Sequence, residues 1–142
     1  MKAHTYGTIG NPTLMLMPGL GVSYEMFLPL IKMLEDRFFI VALEVDGFIL
    51  GEYTRFTSIN DQAGQAIAYV KENLNGRLDC AYGLSMGGKI LSRILEREEI
   101  EIGHAIIAKM ADRSAASLSV SQCMDMLPLD RILEVYIPFP LF

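Results

Sequence analysis

The chain has 142 residues, a single-domain length, and its 51% hydrophobic and 20% charged content argues against disorder over most of that length. Twelve basic against seventeen acidic residues leave a formal charge of −5, with no run of Lys or Arg to neutralise several adjacent phosphates, so nucleic acid is excluded as an expected partner. No stretch reaches the roughly 18 apolar residues of a membrane span, and the opening "MKAHTYGTIGNP" lacks the apolar run of a secretory signal. The expectation is a cytoplasmic protein without a membrane span.

Taken in chain order, "KAHTYG" is expected to pair antiparallel with the strand after it, through "TIGNP". "TLMLM" at 13–17 is a short apolar run ending at "PGLG", which predicts a buried strand and a tight loop. In "SYEMFLPLIKMLED", Met26, Phe27, Leu30, Ile31 and Leu34 recur at helical spacing, and Pro29 predicts either a helix start or a kink. "RFFIVALEVDGF", 37–48, reads as a second buried strand. After "ILGEYTRFTS", Asn60 or Asp61 is the predicted cap of a helix with Ala63, Ile67, Val70 and Leu74 on its inner face and "NLNG" as its stop. "DCAYGL", 79–84, is the third strand. Ile90, Leu91, Ile94 and Leu95 then mark the inner face of a helix, and "GHAIIAKM", 103–110, is the fourth strand.

This alternation predicts an α/β fold, a mostly parallel sheet with helices on both faces and right-handed crossovers. Beyond Ala111 the pattern weakens. "MDMLPLDRILEVY" predicts a helix broken near Pro128, and "IPFPLF" closes the chain in apolar residues. Nothing resembling a linker divides the sequence, so residues 1–142 read as one domain with 112–142 as a divergent C-terminal segment. The apolar tail is expected to pack on the domain, on a second copy or on a complementary subunit. Cys80 and Cys123 lie outside any metal-binding spacing and read as free thiols, with no metal and no cofactor expected.

Three glycine-rich candidates bear on function. Gly83, Ser85 and Gly87 satisfy G-x-S-x-G at the end of a predicted strand and the start of a predicted helix, where a nucleophile elbow must stand. Such a turn strains the serine backbone, so the positions two residues away on either side must be small. The Met86 N–H, at the start of the following helix, would then face a developing oxyanion. Gly83 with "GK" at 88 and 89 also reads as a phosphate loop, but Ile90 stands where a hydroxyl must reach magnesium. Gly19 and Gly21, ahead of Glu44 and Asp46, outline a dinucleotide fingerprint whose third glycine position holds Tyr24.

Together "LMLMPGLGVSYEMFLPLIKMLEDRFFIVALEVDGF" and "AYGLSMGGKI" resemble the N-terminal half of the α/β-hydrolase family, over roughly residues 3–112. The resemblance implies Ser85 as nucleophile, with the Leu20 and Met86 N–H groups as the oxyanion hole. Pro18 stands where the family usually has histidine, and Gly19 matches. Asp46 is implied to be a structural turn residue.

The family's base is a histidine near the C-terminus, held by an Asp or Glu lying between serine and histidine in the chain. Here His4 lies ahead of the serine on a peripheral hairpin. His104 stands about six residues, or nearly 20 Å, from the catalytic end of its strand. Neither fits the role. Asp112, at the end of the fourth strand, is the candidate acid. The family's last βα units have no counterpart in the sequence, which reads as a truncated hydrolase-like chain. Two functions are compatible with these residues: a serine hydrolase of ester, thioester or amide bonds in small acyl substrates, or a non-catalytic binding module that keeps the fold.

Overall fold

The computed structural model of the chain describes residues 1–111 and 132–138. In chain order its elements are β1 (Lys2–Tyr6), β2 (Thr13–Met17), a 3-10 turn (Tyr24–Phe27), α1 (Leu28–Leu34), β3 (Phe39–Glu44), α2 (Ile59–Asn73), β4 (Arg77–Leu84), α3 (Met86–Arg97), β5 (Glu101–Ala111) and β6 (Ile132–Pro138). The strands form one sheet in the order β1-β3-β2-β4-β5-β6, with β1 antiparallel to β3 and every other pair parallel.

Alternation along the strands splits the core into two layers. Met15, Met17, Val41, Leu43, Ala81, Ala105 and Ile107 face α2 and α3. Leu14, Leu16, Ile40, Ala42, Cys80, Tyr82 and Ile106 face the other way, packing with Phe27, Ile31 and Leu34 of the 3-10 turn and α1. β2 lies at the centre of these layers, and Leu14 to Met17 are at most 1% exposed. Burial of each such side chain is worth about 1.5–3 kcal/mol.

Three local expectations are corrected. β1 pairs with β3, His4 opposite Ala42, and not with β2. The reason is that β2 already has a parallel partner on each side, in β3 and β4, so the chain passes over β2 to reach the free edge of β3. The cap of α2 is Ser58, whose extended backbone and Oγ, accepting from Asp61 N at 3.0 Å, outcompete Asn60 and Asp61 themselves. The third concerns "RILEVYIP", assigned above to a broken helix and an apolar tail. Ile132–Pro138 is a strand that pairs parallel with β5 from Ala105↔Ile132 to Ala111↔Pro138. Pro29 does mark a helix start, lying in the first turn of α1. The predicted break near Pro128, the candidate Asp112, Cys123 and the last four residues lie outside the described residues. No helix among the described residues is long and apolar enough to cross a membrane.

Candidate active site

The C-terminal ends of β2, β3, β4 and β5 share one edge of the sheet, and Ser85 stands there between β4 and α3. Its backbone has φ 52° and ψ −108°, outside both the right-handed and the left-handed helical wells. A residue held in such a region costs about 1–3 kcal/mol and persists only when its surroundings leave it no alternative. The surroundings are close. A Cβ on Gly83 would stand 2.5 Å from Gly87 O and 2.8 Å from the Gly88 Cα. One on Gly87 would stand 2.2 Å from Met17 O and 2.7 Å from Pro18 O. Gly88 sits almost as tightly, with Gly83 O and the Ile107 side chain each 3.1 Å from the position of a Cβ. The small residues thus let α3 start directly against β2 and β4, and Ser85 N donates to Ala108 O at 2.7 Å to tie the turn to β5.

Serine before a helix normally turns its hydroxyl inward to cap the first N–H groups. Ser58 and Ser23 do so, accepting from Asp61 N and Glu25 N. Ser85 does not. It makes no side-chain cap bond and is partly exposed. Met86, the first residue of α3, lies where helix N–H groups lack an intrahelical acceptor.

The loop from Pro18 to Ser23 flanks this turn. Gly19 is its point of approach, since a Cβ there would lie 3.6 Å from Ser85 Cβ. Leu20 is 64% exposed, and Gly21 has φ 69°. Gly19 is thereby brought against Ser85, with Leu20 next to the one and Met86 next to the other in the chain. The contribution of Gly88 is not marked by G-x-S-x-G; its sequence signal is the doubled glycine after the motif, which also reads as part of a phosphate loop.

Neither histidine reaches Ser85. His104 pairs in register with Cys80, four positions before Ala108, so it lies about 13 Å down the strand, nearer than the expected 20 Å but still out of contact. His4 is occupied elsewhere: its Nε2 is 2.8 Å from Glu44 Oε2, and its ring stacks on Tyr24 with centroids 3.8 Å apart and planes 9° from parallel. This His4–Glu44–Tyr24 association had no signal in the sequence, because its members come from three separate elements. Glu44 is thus unavailable to a ribose.

Asp46 is committed as well. One carboxylate oxygen accepts from Gln62 and Gln65 Nε2, at 3.0 and 2.7 Å, and the other binds the Met1 ammonium. Burial pushes this carboxyl up, but the hydrogen bonds from the ammonium, Gln62 and Gln65 outweigh it and hold the group below its ordinary value. Two clefts on the α2 side, of about 280 and 410 Å³, both border Tyr69, and neither includes Ser85. The described residues contain no group of three metal-ligating side chains.

No family sequence model matches this chain, and no curated protein does. Solved structures do. One is a Desulfitobacterium hafniense protein assigned to the alpha/beta hydrolase family, with a TM-score of 0.73 and 20% identity over 87% of this chain and 49% of that one. A marine microorganism esterase has a TM-score of 0.69 and 17% identity, covering 88% of this chain and 47% of its own. The enol-lactonase from Burkholderia xenovorans LB400 has a TM-score of 0.66 and 19% identity, covering 78% and 45%. The fold is that of the α/β hydrolases, and the chain spans about half the length of these structures.

Proposed function

We propose that this chain is a serine hydrolase of ester, thioester or amide bonds in small acyl substrates, with Ser85 as nucleophile. The observation that carries the reading is the Ser85 backbone itself. It sits at φ 52° and ψ −108°, walled in by three glycines, with its hydroxyl withheld from the helix it precedes. Strain of this kind is tolerated where it aims a reacting group. In the reaction, Ser85 Oγ attacks the acyl carbonyl, a base takes its proton, and the tetrahedral oxyanion forms beside the Met86 and Leu20 N–H groups. The start of α3 favours that negative charge through its dipole. Collapse of the intermediate expels the alcohol, thiol or amine, and water releases the acid.

The base and its orienting acid lie outside the described residues on this reading. Asp112, next after the last residue of β5, is the candidate acid. The apolar C-terminal segment is a proposed contact with a second copy or a complementary subunit. A cytoplasmic setting is part of the proposal; burial pushes the Cys80 thiol up to about 12.

A second reading, a binding module that keeps the fold without its chemistry, is favoured by one observation: both histidines are placed away from Ser85. Fluorophosphonate labelling read by intact mass separates the two. Stoichiometric labelling that disappears in Ser85→Ala is expected for the hydrolase. A folded wild-type protein that takes up no label would give the binding module the lead. Without a base, serine chemistry falls by on the order of a millionfold.

A further inference from the structure

The His4–Glu44–Tyr24 association sits beside the loop that the proposed reaction needs. Glu44, the last residue of β3, has a side chain only 7% exposed, and a buried carboxylate requires a partner. His4 supplies it from β1, at 2.8 Å. The His4 ring then lies flat on Tyr24, the first residue of the 3-10 turn, and Tyr24 OH accepts from Tyr6 OH at 3.3 Å. Tyr24 is therefore clamped from β1 by two residues of one strand face, two positions apart.

Among the described residues, the loop between β2 and Tyr24 is held mainly at its two ends. At its start, the Met17 and Pro18 carbonyls lie close against Gly87. In its middle are two glycines and the exposed Leu20, with Pro18 buried before them and Val22 half-buried after them. At its end, Ser23 accepts from Glu25 N and Met26 N, which fastens Ser23 to the turn that Tyr24 begins. Among the described residues, two contacts bracket the Leu20 N–H and bear on where it points: the glycine contact at one end and the stacked Tyr24 at the other.

We infer that His4, Glu44 and Tyr24 are positioning residues that hold the 18–23 loop in place for the Leu20 N–H to serve as an oxyanion donor. The inference rests on the proposed hydrolase reading, but the hold on the loop can be measured without it.

The experiment compares wild type with His4→Ala, Tyr24→Leu, Tyr24→Phe and Val70→Ala. Val70 is a fully buried residue of α2 in the opposite core layer and serves as a stability control. Two readouts are taken on folded protein: amide hydrogen exchange of residues 19–26, and the rate of fluorophosphonate labelling at Ser85. His4→Ala and Tyr24→Leu are each expected to speed exchange and slow labelling by about tenfold. Tyr24→Phe keeps the stacked ring but loses the bond from Tyr6, and is expected to fall between wild type and Tyr24→Leu in both, whereas Val70→Ala is expected to match wild type.

Wild-type exchange in His4→Ala would overturn the inference, as would equal acceleration in Val70→Ala. Faster exchange with unchanged labelling would overturn the role in positioning the donor. A wild type that does not label at all would sink the hydrolase reading and with it the donor role, while the exchange data still decide whether the three residues hold the loop.

Discussion

β4 is bracketed by two residues with nearly the same positive φ, Asn75 at 53° before it and Ser85 at 52° after it, and the two conformations have different causes. Asn75 is exposed and ends α2, with Gly76 at φ 74° donating from its N–H to Val70 O at 3.0 Å. Asparagine enters the left-handed region readily at such a helix stop, so the turn stores little strain. Ser85 begins a helix, where no left-handed residue is called for. Its conformation is imposed by backbone packed around Gly83 and Gly87. A positive φ alone therefore says little about function; the packing that enforces it is the informative part.

The comparison extends to the polar groups near each end. Toward the start of β4, Asp79 Oδ2 accepts from Thr13 N and Thr13 Oγ at 2.8 and 3.0 Å, while Thr13 Oγ accepts from Asp79 N at 2.8 Å. Those groups are mutually satisfied. At the other end Ser85 Oγ is left out of the cap it is placed to make.

The sharpest way to break the contrast is to crowd each end with one methyl group. Gly87→Ala would drive a Cβ to 2.2 Å from Met17 O, and a loss of roughly 3 kcal/mol or more is expected in urea denaturation, or failure to fold. Gly76→Ala meets open space and pays only for its φ of 74°, about 1 kcal/mol. Similar losses at the two sites would show that the Ser85 turn is not enforced by packing.

A smaller effect of opposite sign comes from relieving the strain. Ser85→Gly is expected to raise stability by about 1 kcal/mol, whereas Asn75→Gly should change it by only a few tenths. Equal gains would mean that Ser85 carries no more strain than an ordinary helix stop.

The smallest effect concerns acid. The Thr13 N–H first, and then its hydroxyl and Arg77, hold the Asp79 carboxyl below its ordinary value against the effect of burial. A depressed carboxyl stabilises the folded chain above the unfolded-state value of about 4 and loses that contribution as pH falls through the lower, folded-state value. The stability difference between wild type and Asp79→Asn should accordingly be constant above about pH 5 and shrink below pH 4 in thermal melts. A difference independent of pH would remove the charge from the account of this end of β4.

Much of the central sheet was legible in the sequence because local chemistry decides it. The run "TLMLM" forms β2 with the expected limits, since a strand buried on both faces must be apolar throughout. G-x-S-x-G between a strand and a helix likewise announces its turn, because only glycine can flank so tight a bend. What stayed hidden depended on partners distant in the chain. "RILEVYIP" has no local mark separating helix from strand, and its pairing with β5 makes Ile132–Pro138 a strand. β1 reads as half of a hairpin in the sequence, but β2 has a parallel neighbour on each side and β1 pairs at the edge of β3 instead. His4, Glu44 and Tyr24 are 20 or more residues apart from one to the next, so no spacing rule could join them; stacking and burial did so in three dimensions. The sequence by itself determined which turn could be strained. Only the tertiary structure decided what holds it, because close packing and buried pairing are made between elements and not within them.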